Sequence, residues 1–240
     1  MKKLFDYSIA LAAEIVENGG EISRAEETVE RICKKAGGRN INVFIIPSLI
    51  TASAEFDGER VHAIRRIYKS ELNLGKLEDT NNLSRKICGE KTQTGAIDYN
   101  YPKWLRLFCT VLATASFCIY FGGSITDALL SGFIGIIVGS ISYKKTQFNI
   151  FSKTLIEAGI GAALAFLFYL VGVNCHPDKI MTGTIMLLIP GMSIGLSMRD
   201  MMSGNLIAGI LQLIEALIVA FAIVIAYAGA MLIFKSGYHA

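Results

Sequence analysis

Apolar and polar positions follow three rhythms along this chain. From Leu4 to Glu17 they recur at helical spacing, with Leu4, Tyr7, Ser8, Leu11 and Ile15 on one face. Asn18-Gly19-Gly20 closes that run with residues that tolerate a left-handed turn. Ser23-Arg24-Ala25-Glu26 fits a capping box, and the helix it opens carries Ile22, Ala25, Val29, Ile32 and Cys33 on one face before stopping at Gly37-Gly38. The rhythm then shortens. Ile41 to Phe56 is rich in β-branched residues, Asp57-Gly58 signals a tight turn, and Val61 to Tyr68 supplies the returning strand. Leu72 to Ile87 is helical again, with Leu72, Leu77, Leu83 and Ile87 as core positions. These elements predict a small α+β domain with a two- or three-stranded sheet. Residues 89–103 are polar and turn-rich and read as a linker.

From residue 105 onward the third rhythm is nearly continuous apolar sequence. Spans of about twenty residues fit at 105–122, 125–143, 154–173, 180–198 and 205–234. The expected architecture is therefore an α-helical integral membrane protein, with a soluble α+β domain and linker at 1–104 and five transmembrane helices in 105–240. Charge supports the division. Beyond residue 104 the only Lys and Arg are Arg106, Lys144, Lys145, Lys153, Lys179, Arg199 and Lys235, and the only acids are Asp127, Glu157, Asp178, Asp200 and Glu215. Mean hydropathy is +0.48, and the net charge of +3 with no basic stripe argues against a nucleic-acid partner.

The loop charges also orient the spans. With the N-terminus inside, the inner flanks carry Lys103, Arg106, Lys144, Lys145, Lys153 and Arg199, and the outer flanks carry Lys179 and Lys235. The expectation is a multi-pass protein of the cell (inner) membrane, N-domain cytoplasmic and C-terminus external. A reducing cytosol suits the unpaired Cys33 and Cys88. The start of the chain lacks the pattern of a signal peptide, since Asp6, Glu14 and Glu17 interrupt its first apolar run.

Enzyme chemistry finds little purchase. Ser48, Ser53, Asp57 and His62 lie close in sequence, but the chain has no GxSxG elbow and no HExxH, so a folded surface hairpin is the better account. The five cysteines show no metal-ligand spacing and there is no Walker A motif, so neither a cofactor nor ATP is expected.

Polar residues at membrane depth carry the functional signal, because each is costly there unless it faces helices or a cavity. Asp127, Ser131, Gly135, Gly139 and Tyr143 form one stripe on the second span, Glu157, Gly161 and Ala165 another on the third. Asn205, Gly209, Gln212 and Glu215 share a face of the fifth. Such small stripes let helix backbones approach closely. Pro190-Gly191, followed by Ser193, interrupts the fourth span, and a helix broken at mid-membrane frees backbone groups of the kind transporters use for substrate. Arg199-Asp200 at its inner end could form a local ion pair or a gate. The candidate transport residues are thus Pro190, Gly191, Ser193, Gln212, Glu215, Asp127, Glu157, Arg199 and Asp200, with Glu215 as the coupling acid.

Several segments together resemble the threonine/serine exporter family. They are Gly19-Gly20 with Ser23-Arg24-Ala25-Glu26, Val43-Phe44-Ile45-Ile46-Pro47-Ser48, Arg65-Arg66-Ile67, Leu72-Asn73-Leu74-Gly75-Lys76-Leu77, Asn82-Leu83-Ser84-Arg85, and Pro190-Gly191 through Arg199-Asp200 to Ser203-Gly204. The resemblance is closest to the split form, in which a long subunit (soluble domain plus five spans) works with a short five-span subunit. It implies export of threonine and serine, or of a dicarboxylate such as succinate, by a secondary-active mechanism. It also implies that this chain is half of the transporter, since fused members carry ten spans. A membrane-anchored sensor or scaffold without transport activity is the alternative.

Overall fold

The computed structural model describes residues 2–68, 72–89, 101–143 and 149–238. Most of the expected linker at 89–103, together with Lys144 and Lys145, lies outside them. The chain packs as two units, Met1–Tyr99 with Gly191–Glu215, and Asn100–Pro190 with Ala216–Ala240.

In the first unit, α1 (Lys2–Glu17) and α2 (Ile22–Lys35) pack on a three-stranded antiparallel sheet of β1 (Arg39–Ile46), β2 (Leu49–Phe56) and β3 (Glu59–Arg66), ordered β1-β2-β3. The apolar stretch from Ile41 to Phe56 is two strands rather than one. Ile46 pairs with Leu49, so Pro47-Ser48 makes the turn, where the missing proline N–H costs no ladder bond. Asp57 and Gly58 both have positive φ (50° and 84°), as the tight connection to β3 requires. Along β2 the inward residues Ile50, Ala52, Ala54 and Phe56 alternate with exposed or half-buried ones. They meet Phe5, Ile9, Ile15 and Val29 in one core, each large side chain contributing roughly 1.5–3 kcal/mol.

Two local expectations change. Tyr7 is exposed, because the buried face of α1 turns toward Phe5, Ser8, Ile9 and Ala12 instead. α3 (Leu74–Cys88) starts at an Asn73 cap and buries Gly75, Thr80 and Ser84, leaving Leu72 and Leu83 exposed. Leu77 packs against the core as expected, and polar anchors add to it: the Thr80 hydroxyl donates to Glu14 Oε2 at 3.3 Å, and Arg31 Nη2 donates to Ser84 Oγ at 2.9 Å.

The second unit contains α4 (Lys103–Tyr120), α5 (Ile125–Ser142), α6 (Ile150–Leu170), α7 (Pro177–Leu188) and the later part of α9 (Leu206–Tyr238). The α5 stripe explains its closest packing. A Cβ at Gly135 would fall 2.6 Å from Thr114 Oγ1, and one at Gly139 would fall 3.1 Å from Thr110 Cγ2. Ser131 Oγ donates to the Thr114 carbonyl, and Tyr143 and Thr110 share a hydroxyl contact at 3.1 Å. Gly183 of α7 is hemmed in by two helices, with Ser131 Oγ 2.7 Å and the Thr114 carbonyl oxygen 2.8 Å from where its Cβ would lie. Small residues thus let α4, α5 and α7 share one seam.

Among the described residues three helical stretches are long and apolar enough to cross a membrane: Ile125–Ser142, Ile150–Leu170 and Leu206–Phe234. The broken pair α7 and α8 (Gly191–Met202) passes the same test taken together. α4 does not pass it; Lys103 and Arg106 occupy its first turn.

Candidate functional site

The fourth apolar segment breaks where proline and glycine predict. α7 ends at Leu188, Ile189 is extended (φ −62°, ψ 125°), and α8 restarts at Gly191. Proline supplies no amide to continue the ladder, and the extended residue before it is the conformation its ring favours. Gly191 has open space around it, and the Ser193 side chain is exposed with no hydrogen bond among the described residues.

Two turns further, α8 reaches a polar node inside the first unit. Asp200 is fully buried. Its Oδ1 accepts from the Ile22 amide at 3.1 Å, the Ser23 amide adds to that contact, and Oδ2 accepts from Gln212 Nε2 at 3.1 Å. Ile22 is the first residue of α2, whose preceding residue Glu21 makes no side-chain cap. Asp200 therefore caps α2 from 178 residues away, placing a carboxylate at the positive end of that helix.

This replaces the capping box expected at Ser23-Arg24-Ala25-Glu26. The helix starts one residue earlier, and Glu26 turns elsewhere: its Oε1 accepts from the Ile45 amide at 3.1 Å and its Oε2 from Asn205 Nδ2 at 3.2 Å. Burial pushes the Glu26 carboxyl above its ordinary range, against the opposing pull of those two donors. Arg199 does not pair with its neighbour Asp200; its Nη1 meets Glu21 Oε1 at 2.9 Å, at an exposed position. Gly209 lets the start of α9 lie against α8, since a Cβ there would be 2.7 Å from the Ser197 carbonyl.

The node thus gathers Arg199, Asp200 and Gln212 of the candidate residues, and adds Glu21, Glu26 and Asn205. One signal for this was present: a helix opening at Ile22 with no Ser, Thr, Asp or Asn immediately before it needs a cap from elsewhere. Glu215, three residues beyond Gln212, does not join. It is exposed, makes no hydrogen bond or ion pair among the described residues, and stands amid exposed Leu211, Ile214, Leu217 and Ile218.

The other two acids lie in the second unit. Asp127 forms a true capping box with Ser124, accepting from the Ser124 amide at 2.8 Å and hydroxyl at 2.7 Å. It also accepts from the His176 amide at 2.8 Å and contacts that ring's Nδ1 at 3.0 Å. Glu157 is 3% exposed, and its Oε1 is buried with no hydrogen-bond partner among the described residues. Lys153, one turn before it, is spent on the Ser142 carbonyl at 2.7 Å. Deeper in this unit the Tyr227 hydroxyl contacts Thr184 Oγ1 at 3.1 Å and the Met181 carbonyl at 3.2 Å, beside Gly161. Among the described residues no group of His, Cys, Asp or Glu is placed to hold a metal ion.

Residues 6–234 match a family model described as "Putative threonine/serine exporter", and the chain belongs to that family. No curated protein and no solved structure matches it.

Proposed function

We propose that this member of the threonine/serine exporter family is one subunit of a secondary-active exporter of small organic solutes, either threonine and serine or a dicarboxylate such as succinate. It works with a separate five-span membrane subunit. Five spans, α4, α5, α6, the broken pair α7–α8, and α9, cross the cell membrane, with the N-terminal domain in the cytoplasm and the C-terminus outside. The apolar outer faces of these helices support that reading, with Leu129, Phe133, Phe221 and Val224 among their exposed side chains.

The observation that carries the proposal is the helix broken at Pro190-Gly191. Its two ends supply backbone groups with no helical partner, the usual device for holding a small polar solute inside a membrane. Just past the break, the Asp200 node ties α8 to α2, so a shift of one element must be felt by the other. The transport residues are Pro190, Gly191, Ser193 and Gln212, with Arg199 and Asp200 at the inner end of the broken span, Asp127 and Glu157 on the neighbouring helices, and Glu215 as the proton-carrying acid. Support for a partner chain comes from Glu215 itself. A carboxylate on an apolar outer face is costly in lipid and acceptable against another protein helix.

Reconstitution in liposomes tests this. Labelled serine, threonine or succinate should leave vesicles holding this chain with the five-span subunit and stay in vesicles holding this chain alone. Full efflux from this chain alone would remove the partner; no efflux of any solute with both chains would remove the exporter.

A further inference from the structure

The two ends of the three-stranded sheet differ in charge and in what they expose. Ile45, Ile50 and Ala63 turn to the core, so their strand neighbours Phe44, Thr51 and Ile64 turn outward. Phe44, Thr51 and Ile64 form one cross-strand row; Ile45, Ile50 and Arg65 form the next, and Ile46, Leu49 and Arg66 the last. Phe44 is 52% exposed, Ile64 76%, and Tyr68, just past β3, 86%. The Arg66 guanidinium stands over the Tyr68 ring, 6.0 Å from its centroid. Arg65 and Arg66 are exposed and form no ion pair among the described residues. At the opposite end, roughly 23 Å away along β3, lie all three acids of the sheet and its turns, Glu55, Asp57 and Glu59, mixed with Arg39 and Arg60. That far end exposes no large apolar side chain.

The end with the bare arginines is also the one tied to a membrane-length helix. One Glu26 oxygen accepts from the Ile45 amide and the other from Asn205 Nδ2. Asn205 immediately precedes Leu206–Phe234, one of the stretches long and apolar enough to cross a membrane. A single carboxylate therefore joins the row of Ile45, Ile50 and Arg65 to the start of that stretch, and the rows on either side of it bring Ile64 and Arg66 to the same level. A second copy of the chain stacked on this face would set Arg65 and Arg66 against their own charge. An anionic lipid surface fits each part: phosphates accept from the guanidiniums, the tyrosine ring sits at headgroup depth, and Phe44 and Ile64 reach toward the acyl boundary.

We propose that the end of the sheet carrying Phe44, Ile64, Arg65, Arg66 and Tyr68 docks on the anionic headgroups of the bilayer. The spanning helices and the choice of the cytoplasmic leaflet belong to the transport reading, on which this rests. Through Glu26 and Asn205 the docked sheet braces the start of α9, so the charge of the leaflet bears on the junction between α8 and α9.

The full-length chain in lipid nanodiscs tests it, with Tyr68→Trp in a Trp104→Phe background leaving a single indole. Lipids brominated on their acyl chains should quench that indole in discs containing phosphatidylglycerol and spare it in discs of phosphatidylcholine alone. Arg65→Gln and Arg66→Gln should each weaken docking about fivefold at an unchanged melting temperature. An indole placed at the far end by Glu59→Trp should stay unquenched. Absence of quenching in anionic discs, equal quenching in neutral and anionic discs, or undiminished quenching in the Arg65→Gln/Arg66→Gln double variant would overturn the docking. Burial of the indole only on addition of the five-span subunit would overturn it too and give the face to a protein partner. Both leaflets of a disc have one composition and no solute moves, so these outcomes are independent of orientation in the cell and of export. Failure of the chain to assemble into discs at all would instead remove the spanning helices, and the docking with them.

Discussion

Asp127 and Asp200 are both buried aspartates that cap helix N-termini, one in each unit, and they differ in whose helix they cap. Asp127 serves its own helix through Ser124, three residues away, and then reaches the His176 amide. Asp200 serves α2, 178 residues away in sequence, and Gln212 holds its other oxygen. The second unit thus finishes this helix start locally, and it brings its helices together with small residues and hydroxyl contacts between helices. The first uses its polar residues to tie distant segments into one body. Both aspartates are saturated with donors. Glu215 has no side-chain partner among the described residues, and an acid not engaged by them is the better placed to exchange a proton or meet another chain.

The largest effect should come from that contrast. Glu215→Gln keeps size and hydrogen-bonding capacity but removes the charge, so efflux from the two-subunit liposomes should fall to background or lose its pH dependence at normal membrane levels. Wild-type efflux with an unchanged pH profile would move the coupling role to one of the saturated acids.

Next come the two caps themselves. Asp200→Ala leaves the Ile22 and Ser23 amides and Gln212 without their acceptor, at about 3 kcal/mol. Hydrogen exchange should speed up at the start of α2, far from the substitution in sequence. Asp127→Ala should cost about 2 kcal/mol and speed exchange at Ser124 and His176, with α2 unaffected. If Asp200→Ala loosens only α8, the long-range cap is not what holds α2.

A pH effect separates the units further. Burial raises the Glu26 carboxyl in the folded state, so that state binds the proton more tightly than the unfolded chain does. The first unit should therefore lose stability as pH rises from about 4.5 through the folded value, where burying the ionised carboxylate becomes necessary. Melting temperatures across that range should slope downward in the wild type and lie flatter in Glu26→Gln; an equal slope in both would assign it to another group. The smallest effect is expected at Arg199→Gln. Its ion pair with Glu21 sits on a 63% exposed side chain, so the loss should stay below about 1 kcal/mol and shrink further in high salt.

The sequence by itself determined the segmentation of this chain. Helical periodicity, β-branched runs, Asp57-Gly58 and Pro190-Gly191 each act through neighbouring residues, and they placed the helices, the sheet and the broken segment. The Gly135 and Gly139 seam was legible for the same reason, since a small-residue stripe is a property of one helix. Pro47-Ser48 as a turn, the polar anchoring of α3 and the exposed Tyr7 were not, because each depends on which surface an element meets. The site divides likewise. Asp127 as a cap is written in its local spacing from Ser124. Asp200 as the cap of α2 and Glu26 turned to Asn205 exist only once residues nearly two hundred positions apart are packed together, and packing likewise leaves Glu215 with no side-chain partner among the described residues. A buried amide donates to whichever carboxylate the fold delivers to it, and no local pattern records which one that will be.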